Sequence, residues 1–263
     1  MNYQTNEQAK QTFSPSNDRS SGLFYGKTFG WFAGFLLLTA IFTLGLSYLF
    51  NVLWPIVKDG EINEASATTY KVLTIVSSIG VLVSSIVATY RAMKHKKGGI
   101  ISGILYVLFM SFLLSSLSFY IQDTKLIGLA ILITSSLFIV MCLIGFIFKG
   151  KVKWFVALAM GAMFGALIIY LINNFLLLSL VFNGNQDLYN AYIGTYYAAE
   201  FLFLIYALVI TTIDMIRIKK FAENFPDDTS NNMALYFALN LYNDFILILL
   251  KVISFLLRNK SRE

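Results

Sequence analysis

The chain has 263 residues, 57% of them hydrophobic and 13% charged, with a mean hydropathy of +0.70. A soluble domain carries about 25% charged residues and could not bury this much apolar sequence, so the composition excludes one. The net charge of +6 does not point to nucleic acid: basic loops set topology and touch anionic headgroups, and bases do not alternate with aromatics here.

A bilayer core about 30 Å thick is crossed by about 20 apolar residues, and lipid forces each crossing to be helical because unpaired backbone groups find no water. Residues 1–22 read as a disordered, cytoplasmic tail rich in Ser, Asn, Gln and Thr. The span after it has no A-x-A-like cleavage signal, so no removable signal peptide is expected. The predicted spans are about 30–53, 71–91, 99–120, 126–148, 154–182, 190–217 and 234–257. Pro55 follows the first, where a helix commonly stops. The fifth and sixth are long enough to demand tilt or an extension beyond the bilayer. The longest connections, about 54–70 and 218–233, leave no room for a soluble catalytic domain. The expectation is an all-α membrane protein, with residues 23–263 forming one seven-helix transmembrane bundle.

Basic residues orient it. Lys10, Arg19 and Lys27 precede the first span; Arg91, Lys94, Lys96 and Lys97 fill the second loop. Lys149, Lys151 and Lys153 fill the fourth loop, and Arg217, Lys219 and Lys220 begin the sixth. The opposite loops mix Lys58, Lys71 and Lys125 with Asp59, Glu61, Glu64, Asp123 and Asp187. The N-terminus is therefore expected in the cytoplasm. Seven crossings then place Arg258, Lys260 and Arg262 outside, against the rule; a crossing is favoured over a re-entrant seventh segment because the earlier loops agree.

Cys142 stands alone, so neither a disulfide framework nor a Cys-based metal site is expected. His95 lies in a basic loop, where a solvated residue is the first reading and a pH sensor the second. There is no P-loop, H-E-x-x-H or G-x-S-x-G, and no glycine-containing motif of an intramembrane aspartyl protease, so no enzyme is expected. Gly161 and Gly165 form a G-x-x-x-G read as a helix-packing pattern.

Charge inside the apolar spans is the exception to this composition. An ionised side chain near the bilayer centre costs at least about 2.5–3.5 kcal/mol, so such residues are rare and usually functional. Asp214 lies in the sixth span and Asp244 in the seventh. Asp214 is either a partner of Arg217, one turn away, or half of a pair with Asp244. Antiparallel packing of the two helices would bring the acids together, and two carboxylates in a low-dielectric site cannot both ionise cheaply. A shared proton would lock the helices, and its loss would add repulsion and attract a cation. Glu200 lies fourteen residues before Asp214 on the same helical face, marking a possible ion path. Asn173, Asn174, Tyr196 and Tyr197 are either neutral ligands of that path or ordinary interhelical hydrogen-bonding and interfacial residues. Lys251 faces the same way as Asp244 but about 10 Å along the helix, so it is expected to reach for the outer headgroups rather than pair with Asp244.

The segment Ala238-Leu239-Asn240-Leu241-Tyr242-Asn243-Asp244-Phe245-Ile246 resembles the A-L-x-L-Y-x-D-F-I signature of the Bax inhibitor-1-like, or transmembrane Bax inhibitor motif, family. Ile213-Asp214-Met215-Ile216-Arg217-Ile218 is similar to the family's Y-D-T-x-x-I, and Tyr25 to Phe32 resembles the entry to its first helix. The plan of seven spans with short loops fits nearly the whole chain.

The resemblance implies a central C-terminal helix wrapped by six others. It further implies a pH-sensitive calcium leak in which Asp214 and Asp244 are the sensor pair and the calcium ligands. A second-helix arginine, best matched by Arg91, would lock to that pair. No cofactor is implied, and calcium is the transported ion rather than a resident metal. Four departures stand out: Ile213 replaces a tyrosine, Asn243 replaces an apolar residue, the second span has no acid, and the sixth loop is longer than expected. A second class stays open, since some bacterial relatives are similar to modulators of a membrane-bound protease. On that reading the tail would engage the partner and the acids would only hold two helices together. Either way the expected place is a bacterial plasma membrane.

Overall fold

A computed structural model describes residues 15–53, 57–58, 61–62, 64–94, 98–120, 124–148, 150, 152–183, 186–224 and 231–260. The helices are α1 (Pro15–Leu53), α2 (Glu64–Met93), α3 (Gly99–Tyr120), α4 (Thr124–Ile147), α5 (Lys153–Asn183), α6 (Gln186–Asn224) and α7 (Asn231–Lys260). Two short strands, β1 (Val57–Lys58) and β2 (Glu61–Ile62), pair antiparallel between α1 and α2. All seven helices contain a stretch long and apolar enough to cross a membrane. The chain is thus an all-α, seven-helix, multi-pass membrane protein.

Element boundaries differ from the sequence reading at the start of α2, which begins at Glu64 rather than 71 and so takes in part of the expected 54–70 connection, and at the end of the bundle where α1 begins and α6 ends. There α1 starts at Pro15, not near residue 30, so residues 15–22 of the expected tail are helical; residues 1–14 lie outside the described residues. Proline suits a first helical turn because its missing N–H would have no partner there. α6 runs on to Asn224, well past the expected end of its span. The two extensions hold each other. Phe24 is buried against Phe221 and Phe237, with ring centroids 5.1 and 6.0 Å away. Ser21 Oγ donates to Ala222 O at 3.0 Å. A polar-looking segment thereby becomes helix through one aromatic residue and the packing it finds, which periodicity in a short window does not reveal.

α7 lies at the centre, in contact with α1, α2, α3, α4 and α6. Its Ala234, Leu235, Ala238, Leu239, Leu241, Tyr242 and Ile248 are fully buried. The outer helices turn large apolar side chains such as Leu44, Ile86, Leu132, Phe175 and Val181 outward. In water that surface would drive aggregation; in a bilayer it is the lipid face. α5 packs along α6, and α2 along α3.

Of the expected G-x-x-x-G, Gly165 packs closely on α6 and Gly161 does not, and a tighter approach to backbone lies elsewhere. A Cβ at Gly161 would meet nothing within 4 Å, and one at Gly165 only Leu202 Cδ1 at 3.3 Å. At Gly145 on α4, by contrast, a Cβ would sit 2.7 Å from Thr212 O on α6. That contact seats α4 against α6 two residues from Asp214.

Candidate functional site

α6 and α7 run antiparallel, since residue 200 meets residue 251 while residue 214 faces residue 244. Asp214 and Asp244 are both buried, at 5% and 6% exposure, and close enough for the charge of one to act on the other. Asp214 Oδ1 accepts from Arg217 Nη1 at 2.9 Å, while the Arg217 side chain remains 57% exposed. Asp244 is held differently. Its Oδ2 is buried without a hydrogen-bond partner. Its carboxyl also faces Thr211, whose own hydroxyl proton goes to Ala207 O at 2.9 Å. Tyr206 from α6 and Cys142 from α4 lie near enough to sense its charge.

The residues just before Asp244 anchor α7 to two further helices. Tyr242 OH is 2.7 Å from Thr39 Oγ1 on α1. Thr39 spends its proton on Phe35 O at 2.8 Å, so the phenol is the donor between them. Asn243 Oδ1 accepts from Tyr106 OH on α3. The polar residue that replaces an apolar one before Asp244 thus has a dedicated partner. A cavity of about 420 Å³ lies between α1, α4 and α7, lined by Thr39, Thr43, Ser135, Phe245 and Leu249 among others.

Elsewhere along the α6–α7 seam the structure corrects the expectation for Lys251. Its ammonium does not run out to the headgroups but ends on Glu200, with Nζ 2.9 Å from Oε2. Glu200 also accepts from Tyr170 OH on α5 and from Tyr196 one turn earlier on α6. The face of Phe203 lies 4.9 Å from Lys251 Nζ. Arg258 Cζ stacks 3.4 Å above the Tyr196 ring. Tyr170 was not singled out from the sequence, because a tyrosine in an apolar span carries no signal until its partner helix is known.

The remaining candidates are placed as follows. Asn173 Nδ2 bridges α5 to α6, donating to Tyr192 O at 2.7 Å and Thr195 Oγ1 at 2.8 Å. Asn174 is exposed and bonds its own helix at Tyr170 O. Tyr197 stacks on Phe255. Arg91 is exposed and donates to Ser102 Oγ at 3.2 Å, so the structure does not bring it to the acid pair; the guanidinium bonded to that pair is that of Arg217. His95 lies outside the described residues. Among the described residues no three His, Cys, Asp or Glu side chains gather as metal ligands.

Neither the curated proteins nor the solved structures contain a match to this chain. A family model does match it, that described as inhibitor of apoptosis-promoting Bax1 (Bax1-I). The matched residues, 22–262, run from the first turns of α1 through the central helix and its Asp244, and the chain belongs to that family.

Proposed function

We infer that the protein is a passive, pH-sensitive cation leak, with calcium the preferred ion, gated by Asp214 and Asp244. The observation that carries this reading is the buried Asp244 oxygen without a partner, on a central helix, beside a second carboxylate. An ionised carboxylate in that position lacks compensation, which a proton or a cation can supply. A proton held there lets Asp244 donate to a neighbouring acceptor, and Thr211, with its hydrogen engaged on Ala207 O, is one. Loss of the proton leaves two like charges across the α6–α7 seam. Those charges push the helices apart and attract a divalent cation. Arg217, anchored at one end and largely exposed, can swing away and free Asp214 for that cation. The cation moves down its existing gradient, and no catalytic step is involved.

This reading places the protein in a bacterial plasma membrane with its N-terminus in the cytoplasm, as its basic loops favour. The test is calcium flux into proteoliposomes between about pH 5 and 8, comparing the native chain with Asp214→Asn and Asp244→Asn. A flux that rises with pH, and flattens in Asp244→Asn, is expected. Absence of flux from folded native protein at every pH would sink the leak and leave the protease-modulator reading, which deletion of residues 1–14 would then probe.

A further inference from the structure

The acid pair uses one part of the α6–α7 seam; a second charged constellation occupies another. Lys251 stands seven residues after Asp244, two turns and about 10 Å along the same face of α7. Its ammonium is enclosed by the Glu200 carboxylate at 2.9 Å and the Phe203 face at 4.9 Å. Tyr170 and Tyr196 direct their hydroxyls at the same carboxylate. Glu200 is buried, and the Lys251 side chain is only 18% exposed.

A carboxylate, two phenol oxygens and an aromatic face are the surroundings in which a partly dehydrated cation is held. Here the chain supplies the cation itself, on a flexible four-carbon stem that behaves as a tethered point charge. Buried ion pairs contribute little net stability over apolar side chains of the same volume. What this pair supplies to the seam is therefore charge. Arg258, stacked on Tyr196, adds a second positive group beyond it.

We propose that Glu200, Tyr170, Tyr196 and Phe203 form an inorganic-cation site plugged by the chain's own Lys251 ammonium. A free cation travelling along the seam has to displace that ammonium, so Lys251 limits passage independently of the acid pair. The statement about passage rests on the leak reading; the existence of the plugged site does not.

The probe is terbium, a calcium-sized ion whose luminescence is sensitised by nearby tyrosine. It is added to detergent-purified full-length native protein, Lys251→Met and the double variant Glu200→Gln/Lys251→Met. Lys251→Met is expected to gain a calcium-displaceable signal over the native chain, and the double variant to lose that gain. In proteoliposomes Lys251→Met is expected to pass calcium several-fold faster than the native chain at every pH, with the pH profile retained. Should Lys251→Met fail to fold, Lys251→Gln, which keeps a hydrogen bond to Glu200 without the charge, carries the same expectations. Equal terbium signals from all three proteins would overturn the site. A terbium gain without faster flux, in a native protein that conducts, would overturn the role in passage. If the native chain passes no calcium at all, the leak reading falls while the terbium comparison still decides on the site.

Discussion

Tyr242 donates to Thr39 across a 2.7 Å hydrogen bond that ties the central helix to α1, with both residues buried. The two partners are not equivalent. Tyr242→Phe removes a donor and leaves Thr39 bonded to Phe35 O, a loss of about 1 kcal/mol. Thr39→Val instead strands a buried phenol hydroxyl, which costs about 1–3 kcal/mol. Thermal unfolding in detergent should rank Thr39→Val below Tyr242→Phe; the reverse order would mean that the phenol finds another acceptor.

Asn243 and Tyr106 make a second test of the same helix. Asn243→Leu leaves the Tyr106 hydroxyl buried with no acceptor, whereas Tyr106→Phe together with Asn243→Leu leaves nothing polar behind. The double variant is expected to be more stable than Asn243→Leu alone, with a coupling of about 0.5–3 kcal/mol in a double-mutant cycle. Additive losses would show that the hydrogen bond contributes nothing of its own.

Gly145 is where α4 touches α6 backbone. A methyl group there would meet Thr212 O at 2.7 Å and Met215 Cβ at 2.8 Å. Neither is the far end of a flexible side chain, so α4 has to move. Gly145→Ala should lower stability by about 1–3 kcal/mol, the usual cost of overpacking, whereas Gly161→Ala, with open space around it, should be neutral. Similar melting temperatures for the two would rule out a tight α4–α6 contact.

Arg217 bonds Asp214 Oδ1 at 2.9 Å but is itself largely exposed. Arg217→Gln is therefore expected to change stability by no more than about 1 kcal/mol. On the leak reading, its effect is on gating. On that reading, loss of the guanidinium bonded to Asp214 should move the pH at which calcium flux changes. A curve that stays in place would mean that Arg217 is a spectator.

Much of the architecture was legible because lipid leaves few choices: seven apolar runs became seven helices. The acid pair was legible too, since a carboxylate in such a run is conspicuous by its cost. Boundaries failed where helices continue past their apolar stretch, as in α1 from Pro15 and α6 to Asn224, because there tertiary packing around Phe24 decides rather than hydropathy. The partner of Lys251 was missed for a related reason. Spacing along one helix placed it too far from Asp244, but it said nothing of which residue on α6 would stand opposite. Arg91, matched only by a loose stretch, is exposed and bonds Ser102 on α3 rather than the acids.

Tyr242, Asn243 and Asp244 are consecutive, and a helix turns about 100° per residue. Their side chains therefore fan out to α1, α3 and α6 within a single turn of α7. Only a helix surrounded on all sides can satisfy three polar neighbours in this way. The consequence is mechanical: α7 behaves as a keystone, because a rotation that frees one anchor also breaks the other two. On the leak reading, a change of protonation at Asp244 is therefore felt by the whole turn rather than by one side chain.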